Sequence, residues 1–210
     1  ITLTGSVTGQ INALTQIDLG DYRFGFPVRI TARTFAGQEG LLNIEREVDM
    51  SGPIHDKGVL ILHSYLTALF SHVAPLALNA SIVFEQEYSG VEGDSASCAE
   101  LYALLSSLSG LPLRQGIAIT GALNQHGEVL PVGGINEKIE GWFRACHTAG
   151  LDGMQGVLIP ARNQRHLMLS RAVLDAVERG LFHVYTMQHV SEGIALLTGE
   201  ASGMSPAELV

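Results

Sequence analysis

Basic residues are scarce in this sequence. Its 210 residues include 12 Lys and Arg against 21 Asp and Glu, which gives a formal net charge of −9. A chain with this charge would be repelled by a phosphate backbone unless it carried a local basic face. The sequence contains no cluster of basic residues. We therefore expect no nucleic-acid partner for this domain.

Cysteine is also scarce. Cys98 and Cys146 both lie in apolar helical patterns, with no C-x-x-C motif and no histidine at ligand spacing around them. This context is typical of buried free thiols rather than of a disulfide or a zinc site, and it suits a reducing cytoplasm. The eight histidines form no H-E-x-x-H motif and no i, i+4 pair. We therefore expect no metal site.

Long hydrophobic runs are missing. The longest apolar stretch, GVLILHSYLTALF, is interrupted by His63, Ser64 and Thr67, whereas a membrane-spanning helix needs about 18 or more consecutive apolar residues. We expect a core helix here and no membrane segment. The first residues, ITLTGSVTGQI, include neither an initiator Met nor a signal peptide, so we expect a domain cut from a longer chain.

The sequence does contain enough apolar material for a core. Hydrophobic residues make up 46% of the chain and charged residues 16%, a composition typical of one compact domain. Alternating polar and apolar residues predict a β-rich N-terminal third, with strands over SVTGQINAL, YRFGFPVRITARTF and LLNIEREV. Helical spacing begins near Lys57. Strands and helices alternate in the second half, among them a strand over GIAITGAL and a helix over NQRHLMLSRAVLDAVERG. The pattern predicts an α/β or α+β fold, with helices packed on a mixed sheet.

One turn places a serine at the start of a predicted helix. In GVEGDSASCAEL, residues 90–101, a Gly-Asp-Ser turn precedes the apolar helix CAELYALLSSLSG, which Gly110 should close. Ser97 and Glu100 match a capping box, so the serines could simply cap the helix. Alternatively, Ser95 is a nucleophile, held where the amides of the first helical turn can bind an oxyanion. This stretch alone leaves both interpretations open.

A lysine occupies an unusual position on the predicted helix INEKIEGWFRACHTAG. At about 100° per residue, its apolar stripe contains Ile135, Ile139, Trp142 and Cys146. Lys138 lies on the flank of this stripe, away from the polar face. Its ammonium group either reaches solvent along the methylene stem or lies in a partly desolvated pocket, where burial lowers its pKa. A neutral amine there could accept the proton of Ser95.

Two separated motifs carry a resemblance to a known family. GVEGDSAS and AITGALNQHGEVLPVGGINEKIEG resemble the proteolytic domain of the Lon proteases, whose nucleophile lies in a G-x-S-A turn and whose lysine lies in a G-G-x-x-E-K helix start. The separation of Ser95 and Lys138, 43 residues, agrees with the family spacing. GQINAL, FGFPVRITA and SGPIHDKGVLIL also resemble this domain, so one Lon-type domain is expected over residues 1–210. The EGDSAS turn favours the archaeal-like branch and its bacterial relatives.

The resemblance implies a serine endopeptidase that cleaves unfolded polypeptides with a catalytic dyad of Ser95 and Lys138. By position, Thr120 matches the family's threonine that hydrogen-bonds the lysine, and Glu92 matches the acid three residues before the nucleophile. Glu92 beside Lys138 would stabilise the ammonium form, so it could instead mark an inactive, salt-bridged state. Asp94 either caps the helix or contributes its amide to the oxyanion hole.

The resemblance also implies a cytoplasmic homo-hexameric ring without a cofactor in this domain. The sequence contains no G-x-x-x-x-G-K-[ST] motif, so ATP and Mg²⁺ would bind only through a separate ATPase region. Three alternatives stay open: a catalytically silent ring-forming scaffold, an amidase, and a peptidase that is weakly active until the ATPase region orders its site. The intact pair of Ser95 and Lys138 argues against the scaffold.

Overall fold

The computed structural model of the chain describes residues 1–37, 41–43, 52–71, 78–85, 93–200 and 207–209. The α-helices in these ranges are α1 (Pro53–Phe70), α2 (Ser97–Ser109), α3 (Ile135–Ala149), α4 (Arg171–Glu178) and α5 (Ser191–Thr198). The strands are β1 (Ser6–Val7), β2 (Gln10–Asp18), β3 (Arg23–Ala36), β4 (Leu41–Asn43), β5 (Leu78–Glu85), β6 (Leu113–Arg114), β7 (Ile117–Ile119), β8 (Ala122–Leu123), β9 (Val129–Leu130), β10 (Gly156–Pro160), β11 (His183–Met187) and β12 (Ala207–Leu209).

Eight of these strands form one mixed sheet in the order β12-β11-β10-β7-β2-β3-β5-β4. Strands β2, β7, β10 and β11 run parallel to one another, whereas β3 is antiparallel to both β2 and β5. Strands β1 and β6 form a separate pair, and so do β8 and β9. The predicted α/β fold with a mixed sheet and a β-rich N-terminal part is therefore confirmed.

Each face of the sheet carries its own apolar core, because successive side chains of a strand point to opposite faces. Ile117 and Ile119 of β7 belong to the cluster that includes α2, whereas Ala118 between them belongs to the cluster that includes α3. Strand β2 shows the same division between Ala13 and Leu14. Helices α2 and α3 consequently pack on opposite faces of the sheet.

Helix α2 ends where the sequence predicts but begins differently. Gly110 has a φ of 75°, the left-handed conformation in which glycine commonly closes a helix. The predicted capping box is wrong, because Ala96 is the N-cap, Ser97 is already helical, and no side chain caps this end. The Ser97 hydroxyl donates to the Asp94 carbonyl at 2.8 Å and accepts from the Leu123 N–H at 2.8 Å. The Ser97 oxygen that would have capped the helix therefore accepts a hydrogen bond from strand β8 instead.

Three other predicted elements have different bounds. The helix predicted over NQRHLMLSRAVLDAVERG is divided into a 3-10 helix, Ala161–His166, and α4, whose first turn the Ser170 hydroxyl caps. The strand predicted over GIAITGAL is divided into β7 and β8. Helix α1 begins at Pro53, upstream of Lys57, because proline is well suited to the first helical turn. Of LLNIEREV, only β4 lies within the described residues.

Cys98 and Cys146 are both completely buried, and neither forms a disulfide. This confirms the prediction of buried free thiols. Burial raises the pKa of the Cys146 thiol to about 12, so this thiol stays protonated at neutral pH. Within the described ranges, no group of three or more His, Cys, Asp or Glu side chains could hold a metal ion. The helices of the same ranges include none long and apolar enough to cross a membrane.

Trp142 anchors α3 to β10, which yields a test of the core. Its side chain is completely buried, and its Nε1 donates to the Gly156 carbonyl at 2.8 Å. In Trp142→Phe the smaller ring leaves a cavity and that carbonyl loses its donor, so the free energy of unfolding should fall by about 2 to 3 kcal/mol. Urea denaturation measures this loss.

Met168→Ala is the control for this prediction, because Met168 is 84% exposed and its truncation should change stability by less than about 0.5 kcal/mol. Equal losses in the two variants would contradict the role assigned to Trp142.

Candidate active site

Ser95 and Lys138 meet at the C-terminal end of β7. Ser95 lies in the turn before α2 and Lys138 in the first turn of α3, so their helices pack on opposite faces of the sheet. Strand β7 ends at Ile119, while its neighbours β2 and β10 continue past it. Lys138 Nζ donates to Ser95 Oγ at 3.1 Å at this strand end. Sites of α/β proteins commonly form at the carboxyl ends of parallel strands.

Thr120, the residue after β7, contacts both partners. It is completely buried. Its Oγ1 accepts a hydrogen bond from Lys138 Nζ at 3.2 Å and donates to the Ser95 carbonyl at 3.3 Å. A hydroxyl has one proton to donate, so the bond to the carbonyl directs the oxygen's lone pairs toward the amine. The Gly121 N–H bonds to the same carbonyl at 2.8 Å, which ties the serine turn to the strand end.

Lys138 lies in a desolvated pocket. Its side chain is only 4% exposed, so of the two placements that the sequence left open, the buried one is correct. Burial lowers the pKa of Lys138 from its ordinary value of 10.5 to about 8, although the nearby charge of Asp94 opposes this shift. Desolvation therefore outweighs the attraction of the carboxylate. A substantial fraction of the amine is neutral at mildly alkaline pH, and a neutral amine can accept a proton.

Asp94 supports the turn through its main chain. Its carbonyl oxygen accepts from the Ser97 N–H at 3.0 Å and from the Ser97 hydroxyl at 2.8 Å. Of the two roles left open for Asp94, capping of α2 by its side chain is excluded, since this helix has no side-chain cap. Helix α1 lies directly against the residue, because a Cβ on Gly58 would lie 3.2 Å from the Asp94 Cβ.

The amides of the turn could stabilise a negative charge. In the part of the chain that the structure describes, the N–H groups of Asp94, Ser95 and Ala96 have no hydrogen-bond acceptor. They precede the first residue of α2, where a helix presents its unsatisfied N–H groups. These amides are therefore candidates for an oxyanion hole. Glu92, the remaining predicted site residue, lies outside the described residues, so its contact with Lys138 stays a prediction.

A buried ionisable pair lies beside the serine turn and was not predicted from the sequence. His55 of α1 and Glu100 of α2 are each 1% exposed, and His55 Nε2 lies 3.5 Å from Glu100 Oε1. Carboxylates are almost never completely buried unless they are paired. The available signal was Glu100 itself, an acid within a helix that is otherwise apolar on nearly all sides. The pair links α1 to the first turn of the helix that presents Ser95.

Known proteins are similar in sequence to this chain. The family described as the Lon protease (S16) C-terminal proteolytic domain matches residues 89–198. A Lon protease homolog of Escherichia coli (strain K12) is 43% identical over 199 residues, which cover 94% of this chain and 34% of the relative. A Lon protease homolog of Haemophilus influenzae is 41% identical over 197 residues, which cover 93% and 33%. An archaeal Lon protease of Thermococcus kodakarensis is 41% identical over 118 residues, which cover 56% and 17%. The chain thus spans about a third of the length of its bacterial relatives.

The buried amine should lower stability at neutral pH. Because the pKa of Lys138 is about 8 in the folded protein and about 10.5 when exposed, the unfolded chain binds more protons between these values, and stability should rise with pH across that window. Lys138→Met should raise the free energy of unfolding at pH 7 by about 1 to 3 kcal/mol, and this gain should shrink as the pH rises from about 8 to 10.5.

Urea denaturation at pH 7 and at pH 10 measures this effect. Lys57→Met is the matched control, because Lys57 is exposed on α1 and the same substitution there should leave stability nearly unchanged. A loss of stability in Lys138→Met that does not vary with pH would contradict the argument.

Proposed function

The chain belongs to the Lon protease family, within its C-terminal proteolytic domain, and we propose that it is a serine endopeptidase that cleaves unfolded polypeptides with Ser95 and Lys138 as its catalytic dyad. The observation that carries this proposal is the 3.1 Å hydrogen bond between Lys138 Nζ and Ser95 Oγ. A serine hydroxyl is a weak nucleophile until a neighbouring base removes its proton. Lys138 is the base within reach.

In the proposed mechanism, the neutral amine of Lys138 takes the proton of Ser95 while Oγ attacks the scissile carbonyl carbon. The N–H groups at the turn donate hydrogen bonds to the oxyanion of the tetrahedral intermediate. The Lys138 ammonium then protonates the leaving amine, the C–N bond breaks, and an acyl-serine ester remains. Water attacks this ester while Lys138 takes its proton, and Lys138 returns that proton to Ser95 Oγ as the ester bond breaks, which restores the hydroxyl and the neutral amine.

Thr120 is proposed to orient the lysine. Because its hydroxyl accepts from Nζ at 3.2 Å, it limits the directions in which the amine can point. One N–H of the amine is then directed at the threonine, and the lone pair of the neutral form can face Ser95 Oγ. Asp94 is proposed to contribute its amide to the oxyanion hole, with its carboxylate opposing the lowered pKa of Lys138.

An edge of the sheet beside the site supports an extended polypeptide substrate. Strand β3 pairs with β2 from Arg23 onward, but its pairing with β5 begins only at Arg29. Within the described ranges, residues 23–28 of β3 therefore have no strand partner on their second side. An extended substrate could bind there through main-chain hydrogen bonds, which make few demands on its sequence. Gly25 of this stretch lies against the Lys138 backbone, so the edge is close to the dyad. Its own carbonyl group contacts Gly141 of α3, which leaves the neighbouring residues of the stretch for a substrate.

We propose that residues 1–210 act as one proteolytic domain of a longer protein. Support comes from the bacterial relatives, of which this chain covers only about a third. The family resemblance supports a cytoplasmic homo-hexamer in which a separate ATPase region binds ATP and Mg²⁺ and delivers unfolded substrates. The domain itself is proposed to need no cofactor, because the dyad and the turn amides supply the base, the nucleophile and the oxyanion donors.

Degradation of casein tests the dyad. Ser95→Ala removes the nucleophile and Lys138→Met removes the base, so each should lower kcat by at least about 10³-fold. Ser109→Ala and Lys57→Met repeat the same side-chain changes at exposed positions and should cleave at the rate of the unmodified chain.

Undiminished cleavage by either dyad variant would refute the mechanism. Hydrolysis of small amides without cleavage of peptides would favour an amidase. The absence of both activities in the assembled protein would favour a catalytically silent scaffold.

The pH dependence tests the base. Because burial lowers the pKa of Lys138 to about 8, kcat/KM for a fluorogenic peptide should rise between pH 6 and 9 with a midpoint near pH 8 and then level off. A rate that stays flat from pH 5 to 8, or that rises only near the ordinary lysine pKa of about 10.4, would exclude Lys138 as the base.

A further inference from the structure

Helix α3 lies against β3 at a contact made by two glycines. A Cβ on Gly141 of α3 would overlap the carbonyl group of Gly25 of β3 and would lie 3.1 Å from the Gly25 Cα. In the other direction, a Cβ on Gly25 would overlap the Glu137 carbonyl oxygen and would lie 2.5 Å from the Lys138 Cα. All of these are main-chain atoms, which cannot rotate away as a flexible side chain can.

Neither glycine is needed for the local backbone conformation. Gly141 lies inside a helix and Gly25 inside a strand, and neither has a positive φ. A glycine in a helix interior is less stable than alanine by about 0.5 to 1 kcal/mol. The close approach of α3 to β3 therefore accounts for two glycines that secondary structure alone would disfavour.

The contact lies at the base of the Lys138 side chain. Gly25 faces the Lys138 Cα, and from there the side chain extends to Ser95 Oγ and Thr120 Oγ1. These two partners belong to the strand end and the serine turn, which hydrogen bonds tie together. They would not follow α3 if the helix moved. The distance between α3 and β3 thus determines how closely Lys138 Nζ approaches Ser95 Oγ and Thr120 Oγ1.

We propose that the Gly25–Gly141 contact is a positioning device that holds Lys138 Nζ within bonding distance of Ser95 and inside its dry pocket. Its importance for catalysis rests on the Ser–Lys mechanism proposed above. The charged group known to face the amine from the serine turn is Asp94. Because Asp94 does not belong to α3, an outward shift of the helix would withdraw the amine from both the carboxylate and the hydroxyl.

Adding one methyl group at this contact should displace α3. Ordinary packing would require the helix to move outward by more than about 1 Å, and a misplacement of this size can lower a rate by about 10²-fold. Solvent would also reach the amine, so the pKa of Lys138 should rise from about 8 toward its ordinary value of 10.5. A general loss of stability would not by itself produce a selective shift in the titration of Lys138.

The test compares Gly141→Ala and Gly25→Ala with Thr148→Ala in the full chain. Thr148 is exposed on the same helix, so this control places an alanine in α3 away from its contact with β3. Peptide hydrolysis gives kcat and KM. NMR of ¹³C-labelled lysine gives the titration of Lys138 directly, because Lys57 is the only other lysine in the chain and serves as an internal reference.

We expect Gly141→Ala and Gly25→Ala to lower kcat by about 100-fold with little change in KM, and to move the Lys138 titration to higher pH. Thr148→Ala should match the unmodified protein in both measurements. Folded alanine variants at Gly25 and Gly141 that keep the original kcat and the original Lys138 titration would overturn the proposal.

The titration does not require activity, so the two proposals can fail separately. Activity that survives in Ser95→Ala would refute the dyad, while the titration would still report whether the glycine contact holds the amine in place. If circular dichroism shows that neither alanine variant folds, a crystal structure of the unmodified protein decides. A structure in which the dyad bond is present but α3 stands far enough from β3 to accommodate an alanine would overturn the positioning role.

Discussion

The hydrogen bond between the Lys138 amine and the Ser95 hydroxyl is the interaction on which the proposed chemistry depends. It joins side chains from two helices that pack on opposite faces of one sheet. Such a bond would be blocked wherever the sheet is continuous. It can form because β7 ends at Ile119 while β2 and β10 continue, so the side chain of Lys138 passes the strand end. Thr120 fills this position and contacts both partners.

The same geometry accounts for the electrostatics of the amine. Lys138 is enclosed by the core beneath α3 and the serine turn, and this desolvation lowers its pKa more than Asp94 raises it. A buried cation is unfavourable for folding, so the pocket must be stabilised by the packing around it. Completely buried side chains such as Trp142 and Ile139 supply that packing on the face of the sheet where α3 lies. Stability in the core thus maintains a site that by itself would favour unfolding.

Several features of the fold and site were predictable because their signals are local. Gly110 marks the end of α2, since a left-handed C-cap depends on the glycine itself. The absence of the predicted capping box at Ser97 was not predictable, because the Leu123 amide, 26 residues away, donates to the serine oxygen. The pairing of His55 with Glu100 also depends on which helices pack together. The contact between Gly25 and Gly141 could not be predicted from hydrophobic periodicity, since a close approach between a helix and a strand does not change the periodicity of either.

The sequence by itself determined the mixed α/β class and the family, and it singled out Ser95 and Lys138 as candidate site residues, because hydrophobic periodicity and motif spacing are properties of the chain alone. Only the tertiary structure decided that Lys138 is buried rather than extended into solvent. Helical periodicity placed it at the edge of the apolar stripe, where both outcomes were possible. The choice was made by long-range contacts, above all the approach of α3 to β3 and the end of β7, because burial depends on which segments meet in space.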